Sequence, residues 1–187
     1  MSAARQILIG QILMIACCIF YIIWWNMAFR PGVSVNRVGG KYGVLLCITA
    51  LCALAGIWQS AAGLQKVPPH SGGFNGLYLL AGGVIVYIVL LAATRILCHR
   101  TVTTELVLIV GWTVLELTVA GGFFALGQLS AAQKMFMLVL VLVVAAVSMV
   151  CYLAYYGLEP QKAFAIGSVP LAATGAAMLL MCILTRI

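Results

Sequence analysis

Glu116 is the residue whose type and position most strongly indicate chemistry in this sequence. The chain has three acidic residues, Glu105, Glu116 and Glu159. Glu116 lies near the middle of an apolar segment, residues 104–127, whereas the other two lie at the ends of such segments. A segment of about 20 apolar residues spans a bilayer, and an ionisable side chain at its centre costs at least about 2.5–3.5 kcal/mol. The position of Glu116 therefore predicts a functional site within the membrane.

Glu116 has no basic residue at its own depth. Arg95 lies roughly 12 Å nearer the membrane surface, at about 1.5 Å of rise per helical residue. A carboxyl group buried among apolar residues without a cation favours its neutral form. We therefore expect Glu116 to be protonated at rest and hydrogen-bonded to Tyr87 or to a group on the sixth helix. It could exchange its proton with water, a cation or a substrate amine; the alternative is a structural carboxyl group that only hydrogen-bonds a neighbouring helix.

Other polar and aromatic side chains are predicted to share a cavity with Glu116. Trp112 lies four residues earlier, on the same stripe of the fourth helix, and a stripe with such residues should face the bundle interior rather than lipid. The predicted cavity lies between the first, third, fourth and sixth helices. Its predicted ligand-binding or ion-binding residues are Trp25, Asn26, Tyr87, Trp112, Glu116 and Thr174.

The first helix contributes two of these residues near its end. Gln11, Cys18 and Trp25 recur every seven residues and therefore share one stripe, with Asn26 beside it. One interpretation is that Trp25 and Asn26 line the mouth of the cavity. The alternative is that they only anchor the helix at the membrane–water interface, where tryptophan is common.

Composition places the chain in a membrane. Hydrophobic residues make up 65% of the 187 residues and charged residues 7%, with a mean hydropathy of +1.20. Soluble domains contain roughly 45–50% apolar and about 25% charged residues, so a soluble fold is excluded. The pattern predicts an all-α polytopic integral membrane protein, a single-domain bundle of six transmembrane helices with short loops. The predicted spans are residues 6–29, 43–64, 77–98, 104–127, 132–156 and 161–184.

The residues that familiar membrane enzymes require are missing from the predicted interior. Intramembrane serine proteolysis and haem ligation need a histidine at depth, but His70 and His99 fall in loops or at interfaces. There is no aspartate for metal-dependent lipid hydrolysis, no mid-membrane lysine for a Schiff base, and no Cys-x-x-Cys among the seven cysteines. The sequence therefore predicts no catalytic residue, metal site or cofactor. The net charge of +7 is spread over loops and helix ends, which argues against nucleic acid as a partner.

The second predicted helix carries a seam of small residues. Its members recur at steps of three and four residues on one helix face; they are Thr49, Ala53, Gly56, Ser60 and Gly63. Such a seam lets helix backbones approach closely in lipid. It could pack within the bundle, against a second copy of the chain in a homo-oligomer, or against a partner membrane subunit.

Two classes of function fit these features. The first is a transporter, a channel or a membrane-embedded binding component for a small molecule or ion, with Glu116 as the buried protonatable group. The alternative is a non-catalytic accessory subunit that assembles through small-residue helix faces. An intramembrane enzyme acting on a lipid, with Glu116 as general acid or base, is the remaining interpretation.

Six helices place both termini on one side of the membrane, which we take to be a cell membrane. The loops after the first, third and fifth helices hold more basic residues than the side with the termini. By the positive-inside rule, this difference predicts the odd-numbered loops in the cytoplasm and both termini outside. The two sets are Arg30, Arg37, Lys41, Arg95, Arg100 and Lys162 in the odd-numbered loops, against Arg5, Lys66, Lys134 and Arg186.

Overall fold

The computed structural model describes residues 1–32, 39–68, 76–98 and 104–185, and every regular element among them is an α-helix. The prediction of an all-α protein is confirmed. The helices α1 to α6 are Ala3–Ala28, Gly40–Leu64, Gly76–Cys98, Thr104–Ala125, Ala131–Tyr155 and Pro160–Leu184. Some residues used in the predictions lie outside the described residues, namely Arg37, His70, His99, Arg100 and Arg186.

All six helices are long and apolar enough to cross a membrane. They contain 22 to 26 residues, which is about 33–39 Å at roughly 1.5 Å per residue, and the hydrocarbon core of a bilayer is about 30 Å thick. A polytopic integral membrane protein is thus confirmed. The predicted spans agree with the helices to within three residues at each end.

Local sequence signals explain several helix ends. Ser130 caps α5 in a reciprocal capping box: its Oγ accepts from the Gln133 N–H, and Gln133 Oε1 accepts from the Ser130 N–H. Glu159 precedes α6, whose first residue, Pro160, has no N–H to leave unpaired. After α4 the chain turns at Gly127, whose φ of +71° is one that glycine adopts without strain. The short turn makes α4 and α5 antiparallel neighbours.

Helix α1 is central to the bundle. It packs most extensively against α2 and also against α6, and a hydrogen bond from Gln11 connects it to α4. Helix α6 packs against α5, and α5 packs against α4, while α2 makes a smaller contact with α4. Helix α3 packs principally against α4, and most of its described residues are exposed. It is therefore peripheral, with α4 as its contact surface.

Contacts between helix ends define two faces of the bundle. Lys66 Nζ donates to Gln6 Oε1 at 2.7 Å and joins the end of α2 to the start of α1. Trp25 Nε1 donates to the Phe164 carbonyl at 3.1 Å and joins the end of α1 to the start of α6. We call the first the terminal face, because α1 begins and α6 ends there, and the second the odd-loop face, because α1, α3 and α5 end there. Which face lies outside a cell stays a prediction.

The small-residue seam of α2 is buried against α1 of the same chain. A Cβ atom on Gly56 would lie 2.8 Å from Met14 Cγ, and one on Gly63 would lie 2.6 Å from Ile7 Cγ1. The absence of a side chain at these positions lets the two backbones approach closely. A contact with a second copy or a partner subunit through this seam stays a prediction, and it would require α1 to leave the surface. The buried members of the seam are Thr49, Gly56, Ser60 and Gly63.

A large buried apolar cluster fills the terminal half of the bundle. It joins α1, α4, α5 and α6, and each member is no more than 4% exposed. We call it the terminal cluster; its members are Ile7, Val119, Ala120, Phe123, Leu129, Met137 and Met181. Nearer the odd-loop face, a smaller cluster packs Leu106 of α4 against Tyr152 of α5.

Candidate functional site

The candidate site is centred on a hydrogen bond between α1 and α4. Gln11 Nε2 donates to Glu116 Oε1 at 3.0 Å, and the two residues are 0% and 1% exposed. The predicted partner of Glu116, Tyr87 or a group on the sixth helix, is therefore wrong. The physical reason is the packing order, because α1 lies at the centre and meets α4 at the depth of Glu116.

Gln11 is the residue of this site that the sequence-based prediction missed. It shares a stripe of α1 with Cys18 and Trp25, which was the signal that it faces the interior. Nothing in the sequence pairs α1 with α4, so its partner could not be predicted. In the structure Gln11 Oε1 is buried and has no hydrogen-bond partner. The Gln11 amide therefore donates one N–H to Glu116, while its own acceptor, Oε1, is unpaired.

No positive charge is paired with Glu116 within the described part of the chain. The ion pair found there joins Lys162 Nζ to Glu159 at 3.5 Å and is solvent-exposed. Arg95 is exposed in the last turn of α3. Burying an isolated carboxylate costs far more than burying its neutral form. The surroundings of Glu116 thus favour the protonated carboxyl group.

Two further buried polar atoms, one on α4 and one on α5, lack a hydrogen-bond partner. They are Trp112 Nε1 and Ser148 Oγ. Trp112 precedes Glu116 by about one helical turn, and Ser148, on α5, is 2% exposed. Nearly all buried polar groups in proteins are hydrogen-bonded. These two atoms therefore have hydrogen-bonding capacity that the protein itself does not use.

Thr174 lies at the contact between α6 and α1. Its hydroxyl donates to the Leu171 carbonyl at 3.0 Å, and its Oγ1 is 3.7 Å from Cys18 Sγ. Because the threonine hydrogen is used within α6, the Cys18 thiol is the donor in this pair. Thr174 is thus half-buried at the interface between α6 and α1.

Trp25 and Asn26 have different surroundings although they are adjacent in sequence. Trp25 stacks on Phe29 with ring centroids 4.3 Å apart and hydrogen-bonds the Phe164 carbonyl. Its ring also fits over Gly167, where any Cβ atom would clash with it. Asn26 is exposed, and its amide donates to the Ile22 carbonyl at 2.8 Å in its own helix. Trp25 therefore joins α1 to α6, while Asn26 does not turn toward the interior.

Tyr87 lies on the far side of α4 from Glu116. It lines a groove of about 240 Å³ between α3 and α4. At about 100° per residue, the α4 positions of this groove are on the helix face opposite Glu116. The predicted association of Tyr87 with Glu116 fails because α3 is peripheral. The groove is lined by Leu80, Gly83, Val84, Tyr87, Val107, Val110, Gly111 and Val114.

The six predicted ligand-binding residues thus do not form one cluster in the structure. Glu116, Trp112 and Thr174 are directed to the interior, and Trp25 lies at its odd-loop end. Asn26 and Tyr87 lie elsewhere. A ligand-binding role for any of the six stays a prediction.

The chemistry of the arrangement is that of a buried acid held by an amide. Among the described residues, no three His, Cys, Asp or Glu side chains come together as metal ligands. No protein family, characterised protein or solved structure matches the chain. The Glu116–Gln11 pair can hold one proton and transfer it to a base that reaches the carboxyl group.

Proposed function

We propose that this membrane protein is a small transporter, channel or membrane-embedded binding component for a small molecule or ion, in which Glu116 takes up and releases a proton. The observation that carries the proposal is the Glu116–Gln11 pair. The carboxyl group is fully buried in a membrane-spanning helix and is bonded to a neutral amide. An ionisable group at this depth in a membrane is typical of ion pathways and proton relays.

The open acceptor of Gln11 supports a protonated Glu116. A carboxylic acid and a primary amide can form two reciprocal hydrogen bonds, because each has one donor and one acceptor side by side. Gln11 already donates to Glu116 Oε1, while its own Oε1 lacks a donor. A protonated Glu116 has the O–H that this oxygen needs. Ionisation of Glu116 would remove that donor.

Ionisation would also leave an uncompensated charge in the bundle. An unpaired buried charge costs several kcal/mol, roughly the 3–5 kcal/mol seen when a buried ion pair loses one partner. Glu116 should therefore release its proton only when water or a cation reaches it. Coupling of proton release to the arrival of a cation is the chemistry of proton-coupled transport. A purely structural hydrogen bond could be formed as well by glutamine at this position, without the risk of a buried charge.

A Glu116→Gln variant tests the proposal in two measurements. Purified protein is reconstituted into liposomes that contain a pH-sensitive dye, and a potassium diffusion potential drives protons inward. We expect Glu116→Gln to reduce proton flux to that of protein-free liposomes, since an amide cannot carry the proton. Glu105→Gln is the matched control, because Glu105 is only half-buried and accepts from the exposed Tyr156 hydroxyl at 3.3 Å. This control should retain wild-type flux.

Infrared spectroscopy provides the second measurement. Wild-type protein should show the carbonyl band of a protonated carboxyl group, and ammonium ion should shift the band by competing for the acid. The band should be missing from Glu116→Gln and present in Glu105→Gln. Unchanged proton flux in Glu116→Gln, or a Glu116 that is ionised at neutral pH without added cation, would refute the proposal.

The accessory-subunit interpretation has less support. It depends on the α2 seam, which α1 covers, and it assigns no role to the Glu116–Gln11 pair. An enzyme acting on lipid would need a nucleophile or a second acid beside Glu116, and the described neighbour is an amide.

A further inference from the structure

Trp112 and Ser148 lie at about the same depth in the bundle. Antiparallel α4 and α5 are aligned by Leu106 against Tyr152 near the odd-loop face and by Phe123 and Met137 in the terminal cluster. Counting residues along α4 and α5 between these two pairs places Ser148 within about two residues of the depth of Trp112. This difference is roughly 3 Å along the helix axis. Both have a buried polar atom without a partner.

Cys18 and Thr174 lie at a similar depth. Helix α1 is aligned with α4 by the hydrogen bond between Gln11 and Glu116. Cys18 is seven residues further along α1, about two turns closer to the odd-loop face, and it contacts Thr174 of α6. Four helices thus contribute polar side chains to a layer that lies about 6–11 Å to the odd-loop side of Glu116, at about 1.5 Å of rise per residue. We call this layer the polar belt; its members are Cys18, Trp112, Ser148 and Thr174.

The two halves of the bundle differ sharply in polarity on either side of Glu116. Toward the terminal face lies the terminal cluster, whose members are all apolar and almost fully buried. Toward the odd-loop face lie the polar belt and then side chains with polar ends. These last side chains are Tyr21, Tyr152, Tyr155 and Tyr156. Buried polar atoms without partners also occur on the terminal side, on Gln59, Ser60 and Gln128, but these residues belong to α2 and the α4–α5 turn and not to the terminal cluster. Between α1, α4, α5 and α6, water that reaches Glu116 therefore meets hydrogen-bonding groups on the odd-loop side and apolar side chains on the terminal side.

We propose that the polar belt is a water-binding site that connects Glu116 to the odd-loop face, while the terminal cluster closes the other side. Water bound there would accept from Trp112 Nε1 and donate to Ser148 Oγ, the two buried atoms without partners. A buried water usually makes about three hydrogen bonds and needs a polar site of this kind. The proposal deepens the proposed function, on which it rests for the role of Glu116, by assigning the side from which its proton is exchanged.

Cysteine accessibility tests the water-binding site without any transport measurement. Ser148→Cys places a thiol in the polar belt, and Val141→Cys is the matched control. Both positions lie on the buried stripe of α5, about two turns apart, and both are almost fully buried, at 2% and 0% exposed. The probe is aminoethyl methanethiosulfonate, a small cationic reagent that requires the thiolate. Peptide-resolved mass spectrometry separates the new thiol from the native cysteines.

We expect Ser148→Cys to be modified at least about tenfold faster than Val141→Cys, because a thiol in a dry apolar site forms little thiolate. Equal rates at the two positions would overturn the proposal. Both variants must elute as folded monodisperse protein; if Ser148→Cys fails this, Thr174→Cys on α6 takes its place against Ala177→Cys, which is 4% exposed.

Sidedness is measured in sealed proteoliposomes, with free cysteine as a scavenger on the far side. Arg30→Cys marks the odd-loop face and Gln65→Cys the terminal face, since both residues are exposed at helix ends. Ser148→Cys should be labelled from the side that labels Arg30→Cys; labelling from the side of Gln65→Cys would overturn the proposal.

If labelling of Ser148→Cys fails while Glu116→Gln still abolishes proton flux, the proposed water-binding site is wrong and the proposed function stands. If labelling succeeds but Glu116→Gln conducts normally, the proposed function is wrong and the water site stands.

Discussion

Replacing Gln11 by leucine is the most direct test of the pairing between α1 and α4. The change removes the amide that donates to Glu116 Oε1 at 3.0 Å. Leucine occupies about the same space, so the effect of a cavity is small and the measured cost belongs to the lost hydrogen bond. Glu116 is 1% exposed, so bulk water cannot replace the missing donor without local rearrangement.

The expected magnitude follows from this burial. An interhelical hydrogen bond in a membrane protein contributes about 0.6 kcal/mol on average, whereas a buried polar group left without its partner costs about 1–3 kcal/mol. Because Glu116 would be left without its described partner, we expect Gln11→Leu to lower the free energy of unfolding by about 1–2 kcal/mol. Replacing both partners by apolar residues is often nearly neutral, so Gln11→Leu combined with Glu116→Leu should be more stable than Gln11→Leu alone.

The assay is reversible unfolding in mixed micelles as the fraction of denaturing detergent rises, followed by circular dichroism. The two single variants and the double variant form a thermodynamic cycle. Gln59→Leu is the control for Gln11→Leu, because Gln59 also has a buried Oε1 without a partner but lies on α2. The effects of Gln59→Leu and Glu116→Leu on the free energy of unfolding should simply add. If the effects of Gln11→Leu and Glu116→Leu simply add, within about 0.3–0.5 kcal/mol, the two side chains do not interact and the proposed site is wrong.

Two packing predictions use the same unfolding assay. Gly56→Leu should destabilise the protein by about 1–3 kcal/mol through overpacking against Met14, whereas Gly82→Leu should be tolerated because nothing lies within 4 Å of its Cβ position; equal effects would contradict the α1–α2 contact. Trp25→Phe should cost about 0.5–1.5 kcal/mol through loss of its hydrogen bond to the Phe164 carbonyl. Trp58→Phe is its control at a 73% exposed position, and a cost as large there would show that the bond does not hold α1 to α6.

The membrane fold could be predicted closely because its signals are local. A run of about 20 apolar residues must form a helix in lipid, since each backbone N–H and C=O needs a partner within the segment. The ends follow from Ser130, Gly127 and Pro160, whose side chains or backbone preferences act within one turn. The small-residue seam of α2 could also be predicted from the sequence, but the sequence did not indicate that α1 packs against it.

The candidate site could be predicted only in part. Glu116 could be identified from the sequence because a carboxyl group in an apolar segment is unusual whatever its neighbours in space are. Tyr87 lies near mid-depth in its own helix, which favours a place in the same cavity. Depth does not specify the direction of a side chain, however, and α3 packs on the face of α4 opposite Glu116. Asn26 likewise satisfies its amide within its own helix.

The sequence by itself determined that this is a six-helix membrane protein with one acidic residue buried at mid-depth, because hydropathy and helix length are properties of each segment alone. The tertiary structure decided that this acid meets Gln11, that Trp112 Nε1 and Ser148 Oγ are buried without partners, and that an apolar cluster fills the terminal half of the bundle. Gln11 and Glu116 are 105 residues apart. Their contact depends on which helices are neighbours and how each is rotated, and close packing between distant segments sets both.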